Sequence, residues 1–301
     1  MPMIRSTCVH IFLLATVCVY SAHAATAVKF KPQALTNQDS KNAPLKNPEG
    51  VACSATSVLV SDTGNGRLLR YNLVNDDLKE GTEIRLPQIT YPLRIKFASK
   101  GEVLVLDGKS RKIVRVAANN TFVAFLEPQN VPAPATIVTR SLTVDSKGNI
   151  YLVDIQGDRL LILDPNGVFI RQITFPADFG YISDVAVDQR GTILILDSMK
   201  DSVYRALVNE NNFTVMAKDL QNYLFFAVSI ETDSQGRVYL VDQNDNGVIL
   251  LGQDGSFLGR YLNFGWKQGQ IYYPAQGCLA GNDIFVIADR DNSRIQLFKL
   301  Q

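Results

Sequence analysis

The sequence predicts an all-β protein, a six-bladed β-propeller built from four-stranded antiparallel blades. Three observations predict this fold: a repeat that occurs six times, apolar strands at the same place in every repeat, and no helical periodicity. In each repeat an apolar run ends in an aspartate, turns, and resumes as a second apolar run. We call these six residues the signature aspartates, and they are Asp62, Asp107, Asp154, Asp197, Asp242 and Asp289, at intervals of 45, 47, 43, 45 and 47 residues.

Residues 1–24 predict a signal peptide that is cleaved on export. Arg5 gives a positive start, residues 11–20 are apolar, and Ala-His-Ala at 22–24 is a cleavage site of small residues. The apolar segment is too short to span a membrane. We therefore expect a mature chain that begins near Ala25, is secreted or periplasmic, and has no membrane span.

The composition of the mature chain disfavours several functions. Both histidines of the chain, His10 and His23, lie in the signal peptide, so the commonest general base and metal ligand is missing from the mature protein. Without Arg5, 29 basic residues balance 29 acidic ones. Because nucleic-acid binding needs a basic face, we expect no nucleic-acid partner. The missing histidine favours a non-catalytic protein and leaves enzymatic activity open.

Residues 25–45 predict a closing strand and a polar, exposed lead-in to the propeller. The sixth repeat ends at Gln301, directly after its third strand, and lacks a fourth. The strand-like segment 26–30 can supply that fourth strand as the outer strand of the last blade. This pairing would join the two ends of the chain and close the ring.

Residues 46–301 predict the six blades. The residues before each signature aspartate are apolar on both faces, which is typical of a buried strand. A glycine turn and another strand precede them, and a third strand and a looser fourth, such as 169–175 or 213–217, follow. We interpret the signature aspartates as structural residues that accept the N–H groups of their turns. Arg67, Arg159 and Arg294 are placed to pair with them.

The repeat resembles the NHL repeat. The similarity is carried by 288–298 (ADRDNSRIQLF), by 62–67, and by 144–154 (VDSKGNIYLVD). It extends over residues 46–301 and implies an exported member of the NHL-repeat six-bladed β-propeller family. Three repeats depart from the pattern, with Lys112, Ser202 and Gly247 at the usual arginine position. NHL-type lyases that bind zinc through histidine are excluded, and a propeller hosts many functions.

Cys53 and Cys278 are candidates for a disulfide bond. They fall on the predicted inner strands of the first and sixth blades, which become neighbours only when the ring closes. Two cysteines in an exported chain are typical of one disulfide. Two buried free thiols are the alternative.

The inner strands carry polar residues that predict a funnel at the propeller axis. Counting back thirteen residues from each signature aspartate gives Glu49, Arg94, Ser141, Asp184, Ser229 and Gln276. The next residues are apolar or glycine, and two residues further on Lys96 and Glu231 extend the polar row. The first blade has one residue fewer, so Glu49 is expected out of register by one. These eight side chains predict a polar ligand-binding pocket, and a channel that only holds water is the alternative.

Two functions follow from these features. The first is a monomeric, non-catalytic binding or scaffold propeller without a cofactor, which presents one loop face to a protein, peptide or glycan. Tyr181 and Trp266 are our candidates for exposed residues on that face. The alternative is a metal-dependent hydrolase or lyase with its site at the axis. We assign no metal site, but calcium is possible, and Glu49, Asp184 and Glu231 are the axial carboxylates that could hold it.

Overall fold

The computed structural model describes residues 28–301, and it consists of six four-stranded antiparallel sheets. The predicted signal peptide, with His10 and His23, lies outside the described residues. Within residues 28–301 no helix is long and apolar enough to cross a membrane. The helices in this part of the chain are three short 3₁₀ helices, Thr63–Asn65, Ser99–Gly101 and Leu220–Asn222.

Each sheet forms one blade, and its strands follow the order of the chain except in the last blade. Blade 1 contains β2 (Gly50–Cys53), β3 (Ser57–Asp62), β4 (Arg67–Val74) and β5 (Asp77–Ile84). Blade 2 contains β6 (Pro92–Phe97), β7 (Val103–Asp107), β8 (Lys112–Val116) and β9 (Phe122–Phe125). Blade 3 contains β10 (Thr139–Val144), β11 (Ile150–Asp154), β12 (Arg159–Leu163) and β13 (Phe169–Thr174).

The second half of the ring repeats this pattern, and the last blade takes its fourth strand from the start of the chain. Blade 4 contains β14 (Ile182–Val187), β15 (Ile193–Asp197), β16 (Ser202–Ala206) and β17 (Thr214–Ala217). Blade 5 contains β18 (Ala227–Thr232), β19 (Val238–Asp242), β20 (Gly247–Leu251) and β21 (Phe257–Tyr261). Blade 6 contains β22 (Gly277–Ala280), β23 (Ile284–Asp289), β24 (Arg294–Leu300) and β1 (Phe30–Thr36).

The hydrophobic core lies between the blades. The second strand of each blade has an apolar neighbour on both faces, so β7, β11, β15 and β19 are buried at every residue. Six apolar clusters fill the six gaps between neighbouring sheets, including one between blades 6 and 1. Each inner strand contacts the next, and β2 contacts β22, so the ring is closed. The predicted six-bladed propeller is confirmed.

The ring is closed by the N-terminal strand, but this strand lies later in the chain than the sequence predicted. The prediction placed it at 26–30, whereas β1 spans Phe30–Thr36 and pairs with β24 from Leu300 back to Ile295. β1 is the outer edge of its blade, so polar side chains and Pro32 are tolerated there, and an apolar run is not required. The predicted segment still contributes, because Lys29 and Gln301 exchange two backbone hydrogen bonds.

The lead-in to blade 1 is polar in sequence, but part of it is buried. Asp39 is 6% exposed and accepts a hydrogen bond from Arg67 at 2.7 Å. Burial alone would raise the pKa of Asp39, but the Ala43 and Lys41 N–H groups and the Arg67 guanidinium hold it below its usual value. Leu45 joins the apolar cluster between blades 1 and 6. The expectation of an exposed lead-in was therefore wrong for these residues, because charge pairing allows an aspartate to be buried.

A disulfide bond joins Cys53 to Cys278. Cys53 ends the inner strand of blade 1, and Cys278 lies on the inner strand of blade 6. The bond links residues 225 apart in the chain. Together with β1 it closes the ring at the junction between its first and last blades.

Candidate ligand-binding site at the mouth of the axial channel

The six signature aspartates fix one face of the propeller. All six are fully buried. Asp197 shows their role, because its carboxylate accepts hydrogen bonds from the N–H groups of Gly180, Tyr181, Met199 and Lys200. It therefore binds both its own turn and the loop that leads into the inner strand of its blade. We call the face formed by these turns and leading loops the mouth face.

Three arginines strengthen this arrangement where the repeat is most regular. Arg67, Arg159 and Arg294 pair with their signature aspartates at 2.7, 2.9 and 2.6 Å. Each guanidinium also donates to backbone carbonyls of the leading loop, as Arg294 does to Trp266 at 2.7 Å. These carboxylates and guanidiniums hold turns and loops of the propeller together, which agrees with the structural role inferred from the sequence.

Four of the predicted funnel residues are fully buried: Ser141, Asp184, Ser229 and Gln276. Ser141 donates to the carboxylate of Asp184, and this carboxylate accepts the N–H of Ile230 at 2.9 Å. These contacts tie the inner strands of blades 3, 4 and 5 together. Gln276 differs, because neither atom of its amide has a hydrogen-bond partner in the described part of the chain.

The axial cavity is lined by the residues that directly precede these buried residues in the sequence. The inner strands of blades 2 to 5 carry β-bulges, which fall between Pro92 and Arg94 in blade 2 and between Ile182 and Asp184 in blade 4. A bulge adds an unpaired residue and redirects its side chain. Counting back fourteen residues from the aspartates of blades 2 to 5 therefore gives residues that line the cavity, and they are Leu93, Arg140, Ser183 and Val228. The same count in blade 6, whose inner strand pairs without a bulge, gives Ala275, which also lines the cavity.

The cavity lies at the mouth of the channel and has a volume of about 250 Å³. Besides these five residues, its lining comprises Glu49, Arg94, Tyr181, Phe226 and Gln243. Glu49 belongs to this ring because blade 1 has one residue fewer, as the sequence indicated. The sequence analysis missed Arg140, Ser183, Phe226 and Gln243 as site residues. A count of fourteen would have found the first two.

Arg94 crosses the channel near the cavity. It starts on the inner strand of blade 2 and donates to the carbonyls of Val228 at 2.9 Å and Ala275 at 3.2 Å, in blades 5 and 6. Glu49 lies within 2.7 Å of the guanidinium of Arg290. Arg140, which also lines the cavity, donates to the carbonyl of Ile182. Among the described residues, the cavity therefore holds two guanidiniums hydrogen-bonded only to neutral carbonyls and one carboxylate that already has a counter-charge.

Lys96 and Glu231 form an ion pair across the axis. They come from blades 2 and 5, which lie opposite one another, and their side chains are 12% and 18% exposed. Burial raises the pKa of Glu231, and the nearby charge of Lys96 opposes that rise. The structure thus brings together these two predicted funnel residues, and it leaves Asp184 bound to Ser141 and Ile230 instead.

Replacing Lys96 by methionine is expected to destabilise the protein in a pH-dependent way. Loss of the ammonium raises the pKa of Glu231 further, so the folded state loses stability as pH rises through that pKa. We expect a loss of about 2 kcal/mol near pH 8, where an unpaired carboxylate is buried, and a smaller loss near pH 5. Chemical denaturation at both pH values measures it. The double variant Lys96→Met/Glu231→Gln should recover most of the loss, and equal losses at both pH values would contradict this account.

The axial carboxylates do not form a metal site. Asp184 is bound to Ser141 and Ile230, Glu231 is paired with Lys96, and Glu49 is paired with Arg290. No group of three or more carboxylate, cysteine or histidine side chains in residues 28–301 is arranged to hold a metal ion. The donors present therefore do not fit the calcium ion considered from the sequence.

The two predicted partner residues lie in different environments. Trp266 is 67% exposed on the mouth face, and its ring contacts Phe264 edge to face. Tyr181 is half-buried and lines the cavity, where the guanidinium of Arg140 lies 3.8 Å from the centre of its ring. Of these two predicted residues, Trp266 alone presents a largely exposed aromatic ring.

Comparison with known proteins relates the chain to other propellers by fold. No protein-family model and no curated protein sequence matches it. A virginiamycin B lyase structure from Staphylococcus aureus has a TM-score of 0.61 at 16% identity, with 91% of this chain and 100% of that chain covered.

Two other solved structures are similar to the same extent. A gluconolactonase from Xanthomonas campestris has a TM-score of 0.62 at 12% identity, with 92% of this chain and 99% of that chain covered. A PQQ-bound aldose sugar dehydrogenase from Streptomyces coelicolor has a TM-score of 0.63 at 13% identity, with 91% and 98% covered. At these identities the likeness shows a shared six-bladed fold, and it is not evidence for a shared activity.

Proposed function

We propose that the chain is an exported, monomeric, non-catalytic binding propeller whose mouth face holds a peptide segment of a protein partner. The observation that carries this proposal is the position of its exposed aromatic residues. Of the large aromatic side chains that are exposed in residues 28–301, four lie in loops of the mouth face: Tyr91, Phe225, Phe264 and Trp266. The other two, Tyr223 and Phe257, stack on each other at 3.8 Å.

The contacts of their loops support this placement. The N–H groups of Tyr91 and Phe225 donate to the signature aspartates of blades 2 and 5, at 2.6 and 2.8 Å. The carbonyl of Trp266 accepts from Arg294, which is paired with the aspartate of blade 6. The loop backbones are thus fixed while the aromatic rings face solvent, and rigid aromatic anchors are typical of protein interfaces.

A peptide fits this surface better than a glycan does. The exposed aromatic residues occur on loops of blades 2, 5 and 6, and Met199, 68% exposed, adds a flexible apolar side chain on blade 4. Such a wide and mainly apolar surface suits an extended chain with several side chains. The formal charge of +1 for the whole sequence offers no basic surface for nucleic acid.

Three sequence interpretations accompany this proposal. Residues 1–24 act as a cleaved signal peptide, residues 25–45 as closing strand and lead-in, and residues 46–301 as a propeller of the NHL type. The aspartate–arginine pairs at the regular repeats support the last of these. The lyase, lactonase and dehydrogenase named above show that enzymes use this fold. The axial carboxylates Glu49, Asp184 and Glu231 are each hydrogen-bonded or ion-paired within the protein, which favours binding over catalysis.

A peptide library displayed on phage tests the proposal. We expect the intact protein to select peptides whose affinity falls at least about tenfold in the variant Phe225→Ser/Trp266→Ser, because central aromatic anchors carry most of the binding energy. The control is Val123→Ser/Val215→Ser, which changes two exposed apolar side chains on outer strands, 47% and 52% exposed. This control should retain the affinity.

Three results would overturn the proposal. If the protein binds to a glycan array but selects no peptide, its partner is a sugar. If the variant Phe225→Ser/Trp266→Ser selects peptides as the intact protein does, the peptide binds elsewhere on the protein. A rise of several degrees in melting temperature with millimolar calcium chloride, reversed by a chelator, would favour the metal-dependent alternative. We expect neither calcium nor chelator to change the melting temperature.

A further inference from the structure

We propose that the axial cavity is a subsite for a carboxylate group, held by Arg140 and Arg94, with an apolar or aromatic group beside it. This inference deepens the proposed function, because it states what part of a bound peptide would enter the channel. It rests on different residues from the aromatic surface. The cavity, at about 250 Å³, is large enough for one amino-acid residue and too small for a folded element.

The cavity contains two guanidiniums that form no ion pair with a carboxylate of residues 28–301. Neither Arg94 nor Arg140 has a carboxylate within 4.0 Å in the described part of the chain, although most arginines there are paired. Arg94 donates to the carbonyls of Val228 and Ala275, and Arg140 donates to the carbonyl of Ile182 at 3.2 Å. A guanidinium has five N–H donors, so each retains donors for a ligand.

Arg140 is held in place for such a ligand. Its guanidinium lies over the ring of Tyr181 at 3.8 Å, and that ring lies 6.0 Å from the ring of Phe226. Stacking fixes the plane of the guanidinium and leaves its edge for a bidentate contact, a geometry that matches a carboxylate. Little side-chain entropy then has to be lost on binding.

The other residues that line the cavity restrict the kind of ligand that it can bind. Leu93, Phe226 and Val228 give the wall an apolar part, which suits an aliphatic or aromatic group next to the carboxylate. Glu49 also lines the cavity, paired with Arg290, and its negative charge disfavours a second charge on the ligand. A singly charged carboxylate therefore fits better than a doubly charged phosphate.

Calorimetric titration with N-acetyl-L-phenylalanine tests the inference, with N-acetyl-L-phenylalanine amide as the neutral control. We expect saturable binding of the acid and at least about tenfold weaker binding of the amide, because a charge-assisted contact to arginine is lost. Phenyl phosphate is expected to bind more weakly than the acid. Equal binding of acid and amide, tighter binding of phenyl phosphate, or no binding of any probe would overturn the carboxylate site.

The variant Arg140→Gln should weaken binding of the acid at least about tenfold and leave the amide unchanged. Arg140→Lys keeps the charge, but a lysine makes no bidentate contact. Its affinity for the acid should therefore lie between those of the intact protein and of Arg140→Gln. Arg85→Gln, which removes an exposed guanidinium outside the cavity lining, is the matched control and should bind like the intact protein. The melting temperature of each variant shows whether it is folded.

Two short peptides identify the source of the carboxylate. One ends in phenylalanine with a free carboxylate, and the other has an internal aspartate and an amidated end. Binding of the first alone assigns a chain terminus, and binding of the second alone assigns an acidic side chain. If the acid binds but the phage library yields no peptide, the carboxylate subsite is supported and the proposal of a peptide partner is wrong. If peptides are selected but neither the acid nor either short peptide binds, the aromatic surface stands and the subsite fails.

Discussion

A chain that begins at Asn37, and so lacks strand β1, is expected to melt at least about 10 °C below a chain that begins at Ala25. The deletion exposes the edge of β24 and removes Phe30, whose ring stacks on Tyr261 at 4.8 Å and contacts Phe285 at 5.5 Å. Loss of a packed phenylalanine with its strand costs on the order of 5 kcal/mol. In a domain of this size each kcal/mol lowers the melting temperature by about 2–4 °C. Differential scanning calorimetry measures the shift.

Single substitutions on the same strand provide the control for this deletion. Phe30→Ala should lower the melting temperature by several degrees, because it removes the aromatic contacts and keeps the strand. Lys31→Ala should leave it within about 1 °C, since Lys31 is exposed on the outer edge. A truncated chain that melts at the temperature of the intact protein would show that β1 does not close the ring.

Loss of the disulfide in the double variant Cys53→Ser/Cys278→Ser is expected to cost about 2–5 kcal/mol. The bond closes a loop of 225 residues, for which the chain-entropy model gives an upper value of about 5 kcal/mol. The expected value is lower because a denatured chain keeps residual structure, so the bond removes less conformational entropy than the model assumes. Denaturant titration of the oxidised protein and the variant measures the difference. Two free thiols in the denatured, unreduced protein would contradict the bond.

The disulfide and strand β1 should not act independently, because both close the junction between blades 1 and 6. Removing β1 from the cysteine-free variant should therefore cost more than removing it from the oxidised protein. A double-mutant cycle of the four chains measures this coupling. Additive costs would mean that the two devices stabilise separate parts of the ring.

The sequence predicted the architecture well because the fold repeats one local pattern. The buried run before each signature aspartate has one explanation, a strand covered on both faces, and six copies fix the number of blades. Strand β1 was harder to place, because an outer edge strand needs no apolar pattern and its partner lies at the other end of the chain. The burial of Asp39 depends on Arg67, a contact that no local signal reveals.

The candidate site was less predictable for a related reason. A strict two-residue alternation pointed to Ser141, Asp184, Ser229 and Gln276, whereas a bulge in four of the inner strands moves the cavity lining to the preceding residue. Bulges depend on backbone pairing and leave little trace in the sequence. Lys96 and Glu231 were placed on opposite blades, and their contact across the axis follows from ring closure.

The pairing of β1 with β24 also determines when the molecule can become complete. Phe30 and its partner Leu300 lie 270 residues apart in the sequence. During synthesis the first strand therefore has no partner until the last blade has been made. A prematurely terminated product would leave an open circle with a bare edge, a ready target for proteases and chaperones. The ring can therefore close only after β24 has been synthesised.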